Sequence, residues 1–209
     1  MGVTVKVTSD FVCPWCLIGE RRLARAIGAL EGEIAVAVEW LPFELNPAMP
    51  AEGMDRPTYR ALKFGSVERG RMLDARTIEA AQGDGIAFAY DRILRTPNTF
   101  LAHRLMRFAA RRSAASPLAG ALFAAYFEQG RDIGDVQVLA DIAADRGLDR
   151  AEVAAFLSGD EGADEVRAIE RAQQAAGIDG VPFFDIGGLA LAGAQPVPVL
   201  LAALRQAAG

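Results

Sequence analysis

The sequence predicts an α/β fold in which a strand–helix–strand unit is separated from its closing hairpin by a long helical insertion. Three observations predict it. Residues 3–8 alternate Val with Thr and Lys, and lead through a helical stretch to a second Val-rich run at 34–41. Residues 58–82 and 98–176 are rich in Ala and Leu with interspersed charge, and strand-forming composition returns only after residue 180.

VTVKVT at 3–8 reads as the first strand because alternation places its valines on one face. A helix is expected from Pro14 to about Leu30, since a proline fits the first turn, where its missing N–H would have no intrahelical acceptor. Cys16, Leu23, Ile27 and Leu30 form its apolar stripe, Arg21, Arg22 and Arg25 fall off it, and Gly32 ends it. IAVAVEWL at 34–41 is the second strand, paired in parallel because a helix joins the two. NPAMPAEGMDRP at 46–57 holds three prolines and a glycine and reads as an ordered connection.

Within the insertion, Asn98–Thr99, Ser116–Pro117, Asp135, Asp149 and Asp160 are the expected helix starts. Ile86 to Tyr90 is read as a short extended stretch, Phe108, Phe123 and Phe127 as core, and Arg111–Arg112 as a solvated face. Val181–Ile186 and Leu189–Ala192 make a hairpin around Gly187–Gly188, and Pro196 opens a last helix through Leu200, Leu201 and Leu204. The expected division is 1–50 and 161–209 for the two parts of the α/β domain and 51–160 for the helical insertion.

The chain has 209 residues, 52% of them hydrophobic, enough for a substantial core. Its 22 basic residues against 27 acidic ones leave a net charge of −5, which argues against nucleic acid as a partner. No apolar run approaches the ~20 residues of a membrane-spanning helix, so no membrane partner is expected. MGVTVKVTSDF shows no secretory pattern, and the expected address is cytoplasmic. Two cysteines cannot staple a secreted scaffold, so their spacing carries the information.

Cys13-Pro14-Trp15-Cys16 at a strand-to-helix junction is the sequence form of a thioredoxin-like redox site. Residues three apart on a helix are about 5–6 Å apart at Cβ, so a small adjustment closes or opens a disulfide. At the helix start the dipole and free amides favour a thiolate, which makes Cys13 the nucleophile. Cys16, one turn deeper, resolves the mixed disulfide, and Pro14 and Trp15 tune the pair. Asp10 would oppose the thiolate if close to it. Glu20, four residues beyond Cys16, is a candidate proton relay but is expected to be a solvated carboxylate.

The site's second half is expected at Gly180-Val181-Pro182, where a cis Val181–Pro182 bond would offer the Val181 backbone to an extended substrate. His103, the only histidine, projects with Arg104 and Arg107 opposite Leu101 and Leu105, which implies a surface or interdomain hydrogen-bonding role. No metal is expected, because two cysteines and one distant histidine cannot complete a four-ligand zinc site.

Four segments together resemble the DsbA-like branch of the thioredoxin superfamily, and within it the FrnE-like disulfide oxidoreductases. They are DFVCPWCLIGERRL at 10–23, PFELNPAMPAEGMDR at 42–56, PNTFLAHRL at 97–105 and GVPFFDIGGLALAGAQP at 180–196. The resemblance implies a thioredoxin fold with an inserted all-helical domain, Cys13 and Cys16 as the redox pair and Pro182 as the cis-proline. It also implies that Asn98, Thr99 and His103 look toward the active-site cleft. The periplasmic founders of the branch have a secretory signal and a histidine after the motif proline, where this chain has Trp15.

The expected activity is thiol:disulfide oxidoreduction on protein or low-molecular-weight thiols and disulfides. The redox-active pair serves as its own cofactor, with glutathione a candidate co-substrate. The alternative is a glutathione-dependent isomerase or transferase, like the 2-hydroxychromene-2-carboxylate isomerase and kappa-class transferase relatives. Those generally carry serine in place of the first cysteine, so the intact pair counts against this alternative. A redox-sensing or metal-holding module without turnover is the third class.

Overall fold

The valine alternation at the start of the chain forms β1 (Gly2–Ser9) of a computed structural model that describes residues 2–209. There follow α1 (Pro14–Gly28), β2 (Ala35–Pro42), β3 (Met54–Asp55), α2 (Arg56–Phe64), α3 (Val67–Ala80) and β4 (Arg95–Thr96). Then come α4 (Phe100–Ala110), α5 (Ala115–Phe127), α6 (Val136–Ala144), α7 (Arg150–Ser158) and α8 (Ala163–Ala175). The chain closes with β5 (Phe183–Ile186), β6 (Leu189–Ala192) and α9 (Val197–Ala208). This is an α/β fold with a helical insertion between its strands, as expected.

One four-stranded sheet has the order β2-β1-β5-β6, and β3 pairs with β4 in a short separate ribbon. β1 is central, parallel to β2 and antiparallel to β5. Register aligns Val5 with Val38 and Ile186, and Val7 with Trp40 and Phe184, so one face carries a continuous apolar layer. α1 and α9 pack against each other beside this sheet, and α5 reaches the same layer where the Trp40 ring meets Phe123. Gln173 of α8 donates to the Thr8 hydroxyl, on the opposite pleat of β1.

The caps that the sequence indicates act through local bonds: Asp135 accepts from Gln137 and Val138, and Asp149 accepts from Glu152. Asn98 accepts from the Phe100 amide at the start of α4. Phe108, Phe123 and Phe127 are buried.

Several expectations are corrected. α1 stops at Gly28 because residues 27–33 close a run of tight turns, with Gly32 at φ +82°. α8 starts from Gly162, at φ +79°, and Asp160 supplies a carbonyl to Ala163 instead of a side-chain cap. Residues 86–90 are not a strand: Phe88 and Tyr90 stack at 4.8 Å, and the Ala89 amide donates to Phe127, so the insertion's core holds them. β5 begins at Phe183, two residues later than expected.

Two residues of the polar face assigned to α4, His103 and Arg104, are buried. Arg104 is 3% exposed and donates to four carbonyl oxygens, of Phe156, Leu157, Gly159 and Glu161, tying α4 to the α7–α8 connection. Its guanidinium also lies 5.2 Å from the Phe156 ring centroid. An Arg104→Met substitution is expected to strand those acceptors and cost about 3 kcal/mol, read as a lower urea midpoint with an unchanged m-value.

Candidate active site

Strand β1 ends at Ser9, and the chain turns through Asp10–Val12 so that Cys13 becomes the N-cap of α1, its amide donating to the Asp10 carbonyl at 3.1 Å. The Cys13 carbonyl accepts from Cys16 and Leu17, which closes the first helical turn and sets Cys16 one turn inward. Both cysteines are free thiols. Cys13 is 4% exposed and Cys16 2%, so the outer cysteine is far less open than its position at a helix start suggests. Burial pushes the Cys16 thiol well above its ordinary value, reinforced by Cys13 and opposed by hydrogen bonds from the Asp10 backbone and the Ser9 side chain.

The second half of the site arrives from 168 residues away. The Val181–Pro182 peptide is cis, and the Cys13 thiol faces the Val181 carbonyl at 3.7 Å. Gly19 permits this meeting: a Cβ there would stand 3.0 Å from the Phe184 ring and 3.2 Å from Pro182. Trp15, 41% exposed, stands at the surface beside the pair.

Cys13, Pro14, Trp15 and Val181 line a cavity of about 460 Å³. The opposite wall comes from α2, α3 and the segment before β4, including Tyr59, Phe64, Tyr90 and the cations Arg56, Arg60, Lys63 and Arg76. The sequence reading missed all four cations. The signal was present in the spacing of 56, 60 and 63, which shares one helical face.

Other candidates lie elsewhere. Asn98 and Thr99 do not line the cavity; the Asn98 side chain donates to the Met49 carbonyl and Thr99 is buried. His103 is 3% exposed, not at the surface, its ring 5.3 Å from Phe11 and its Nε2 3.5 Å from Asp10 Oδ1. The helical projection grouped it with Arg104 and Arg107 but could not show that Asp10 and Phe11 would cover it. Asp10 is fully buried, and its carboxylate accepts from the Leu45 amide at 2.8 Å.

Glu20 is also not the solvated carboxylate expected. It packs against Gly120 of α5, with an Arg21 guanidinium 3.6 Å away, and burial raises its pKa. Two further carboxylates, unremarked in the sequence, adjoin Asp10 and His103: burial raises Glu44 to about 7, with Glu170 adding to the effect and His103 opposing it. Burial likewise raises Glu170. Among the described residues no cluster of three or more His, Cys, Asp or Glu is placed to hold a metal, and no helix is long and apolar enough to cross a membrane.

Residues 4–205 match the DSBA-like thioredoxin domain family. The chain is 30% identical over 195 residues to the uncharacterized protein YwbO of Bacillus subtilis (strain 168), covering 93% of this chain and 92% of that protein. The crystal structure of the probable DsbA oxidoreductase SCO1869 from Streptomyces coelicolor superposes with a TM-score of 0.85 at 33% identity, covering 98% of this chain and 89% of that one. A 2-hydroxychromene-2-carboxylate isomerase structure shares the fold, with a TM-score of 0.75 at 16% identity over 97% of this chain and 95% of its own.

The raised carboxylate has a consequence for stability. A folded-state value near 7 for Glu44 against an ordinary 4.5 means that the folded protein holds this proton more tightly than the unfolded chain. Stability from this group is therefore complete below pH 4.5 and declines as the pH rises toward 7. Glu44→Gln should flatten that part of a denaturation-midpoint-against-pH curve, and Glu170→Gln should shift the decline to lower pH.

Proposed function

The chain belongs to the DSBA-like thioredoxin domain family, and on that premise we propose that it is a thiol:disulfide oxidoreductase working through Cys13 and Cys16. The observation that carries the reading is the placement of the Cys13 thiol 3.7 Å from the Val181 carbonyl, with Cys16 buried one turn behind it.

Cys13 Sγ attacks one sulfur of a substrate disulfide; a bond forms between them, the substrate's S–S bond breaks, and one substrate thiolate leaves and takes up a proton. Cys16, having lost its proton, then attacks Cys13 Sγ and displaces the second substrate thiol. Two protein thiols have become a disulfide, and the substrate disulfide has become two thiols. Burial suits Cys16 to the second step, because a thiol pushed upward stays protonated and unreactive until the mixed disulfide forms beside it. Every step reverses, so the same pair oxidises a substrate dithiol when it begins as a disulfide. Pro14 and Trp15 shape the turn between the sulfurs, and the Val181 carbonyl is an acceptor beside the reacting atom.

Cys13→Ser should reduce disulfide exchange to the uncatalysed rate, measured as thiol release from a model disulfide. Cys16→Ser should instead accumulate a mixed disulfide on Cys13, seen as a mass increment of half a symmetric model disulfide less one hydrogen and removed by a reductant. Full exchange by the Cys13 variant would remove that residue from the chemistry.

A further inference from the structure

Resting on this exchange chemistry, we propose that the substrate is a small disulfide bearing carboxylates, seated in the cavity beside Cys13 and held there by Arg56, Lys63 and Arg76. Three independent observations lead to this substrate class. The first is access: Cys13 is 4% exposed and lines a cavity of about 460 Å³, a volume within the roughly 300–1,000 Å³ range of small-molecule sites. A small disulfide fits within a cavity of this volume.

The second is charge. The protein as a whole carries −5, yet this cavity is walled by four cations and one carboxylate, Asp74. Asp74 is already engaged by both Arg56, at 2.8 Å, and Arg60, at 2.6 Å, so one anion serves two guanidiniums. Lys63 meets only neutral oxygens, of Asn46 at 2.6 Å and Leu45 at 3.2 Å. Arg76 is exposed and makes no ion pair or hydrogen bond among the described residues. The wall thus presents an excess of positive charge that an anionic ligand neutralises.

The third is the lining between the cations. Tyr59, Phe64, Tyr90 and Tyr126 give an apolar surface that suits the carbon chain of a ligand whose carboxylates reach the arginines and lysine. Bound in this way, one sulfur of the ligand meets Cys13 Sγ. The ligand S–S bond breaks as Sγ–S forms, and Cys16 then closes the protein disulfide and releases the second half as a thiol.

The test is single-turnover oxidation of the reduced protein by three symmetric aliphatic disulfides: the diacid 3,3′-dithiodipropionate, the neutral bis(2-hydroxyethyl) disulfide and the diamine cystamine. Each rate is divided by that of dithiothreitol with the same disulfide, which removes intrinsic reactivity. The expected order is diacid, neutral, diamine, narrowing as salt is added. Arg76→Glu and Lys63→Glu, both at exposed positions, should each lower the diacid-to-neutral ratio about fivefold and raise the diamine's rate. Equal normalised rates, an order unchanged in both variants, or faster oxidation by a denatured disulfide-bonded polypeptide would overturn the proposal while leaving exchange intact. Failure of all three disulfides and of the polypeptide to oxidise the protein would instead defeat the exchange reading beneath it.

Discussion

The site depends on how closely α1 can approach the strand that follows Pro182. Gly19 is the point of contact, and a methyl group there would meet the Phe184 ring at 3.0 Å and the proline at 3.2 Å. Both neighbours are buried, so relief would require movement of the helix or of the loop. Overpacking of this kind costs about 1–3 kcal/mol, and here the displacement would fall on the 3.7 Å contact between Cys13 and Val181. The central position of β1 makes the approach possible, because β5 pairs directly with the strand that delivers the cysteines.

Around that contact the charges divide into two environments. Behind the cysteines Asp10 meets His103, and nearby burial works against ionisation of Glu44 and Glu170. In front, α2 and α3 supply cations that face the cavity. A protein of net charge −5 thus sets four of its cations around the cavity beside Cys13.

Much of this was legible in residue order, and the reasons differ by element. Cys13, Cys16 and Pro14 were readable because helix entry is a local event governed by a few neighbouring groups. Asp135 and Asp149 were readable for the same reason, as their side chains bond amides two or three residues onward. His103, Arg104 and Glu20 were misplaced because periodicity tells which residues share a face, not what will cover it. Arg104 is buried among carbonyl oxygens at the ends of α7 and α8, a polar environment made by backbone that no alternation of side chains reveals. The basic wall of the cavity depends on docking α2 and α3 over the cysteines, a long-range arrangement outside the reach of either helix's own pattern.

The sheet ends at β6, a strand of four residues entered from Gly187 and Gly188 at φ +58° and +92° and left through Gly193 at φ +78°. Its outer rim therefore offers a foreign strand only a brief run of backbone donors and acceptors before the chain bends away. Leu189 and Leu191 pack inward against the core, and brevity leaves little free backbone, so the hairpin that carries Pro182 into place also limits self-propagating stacking of the sheet along that side.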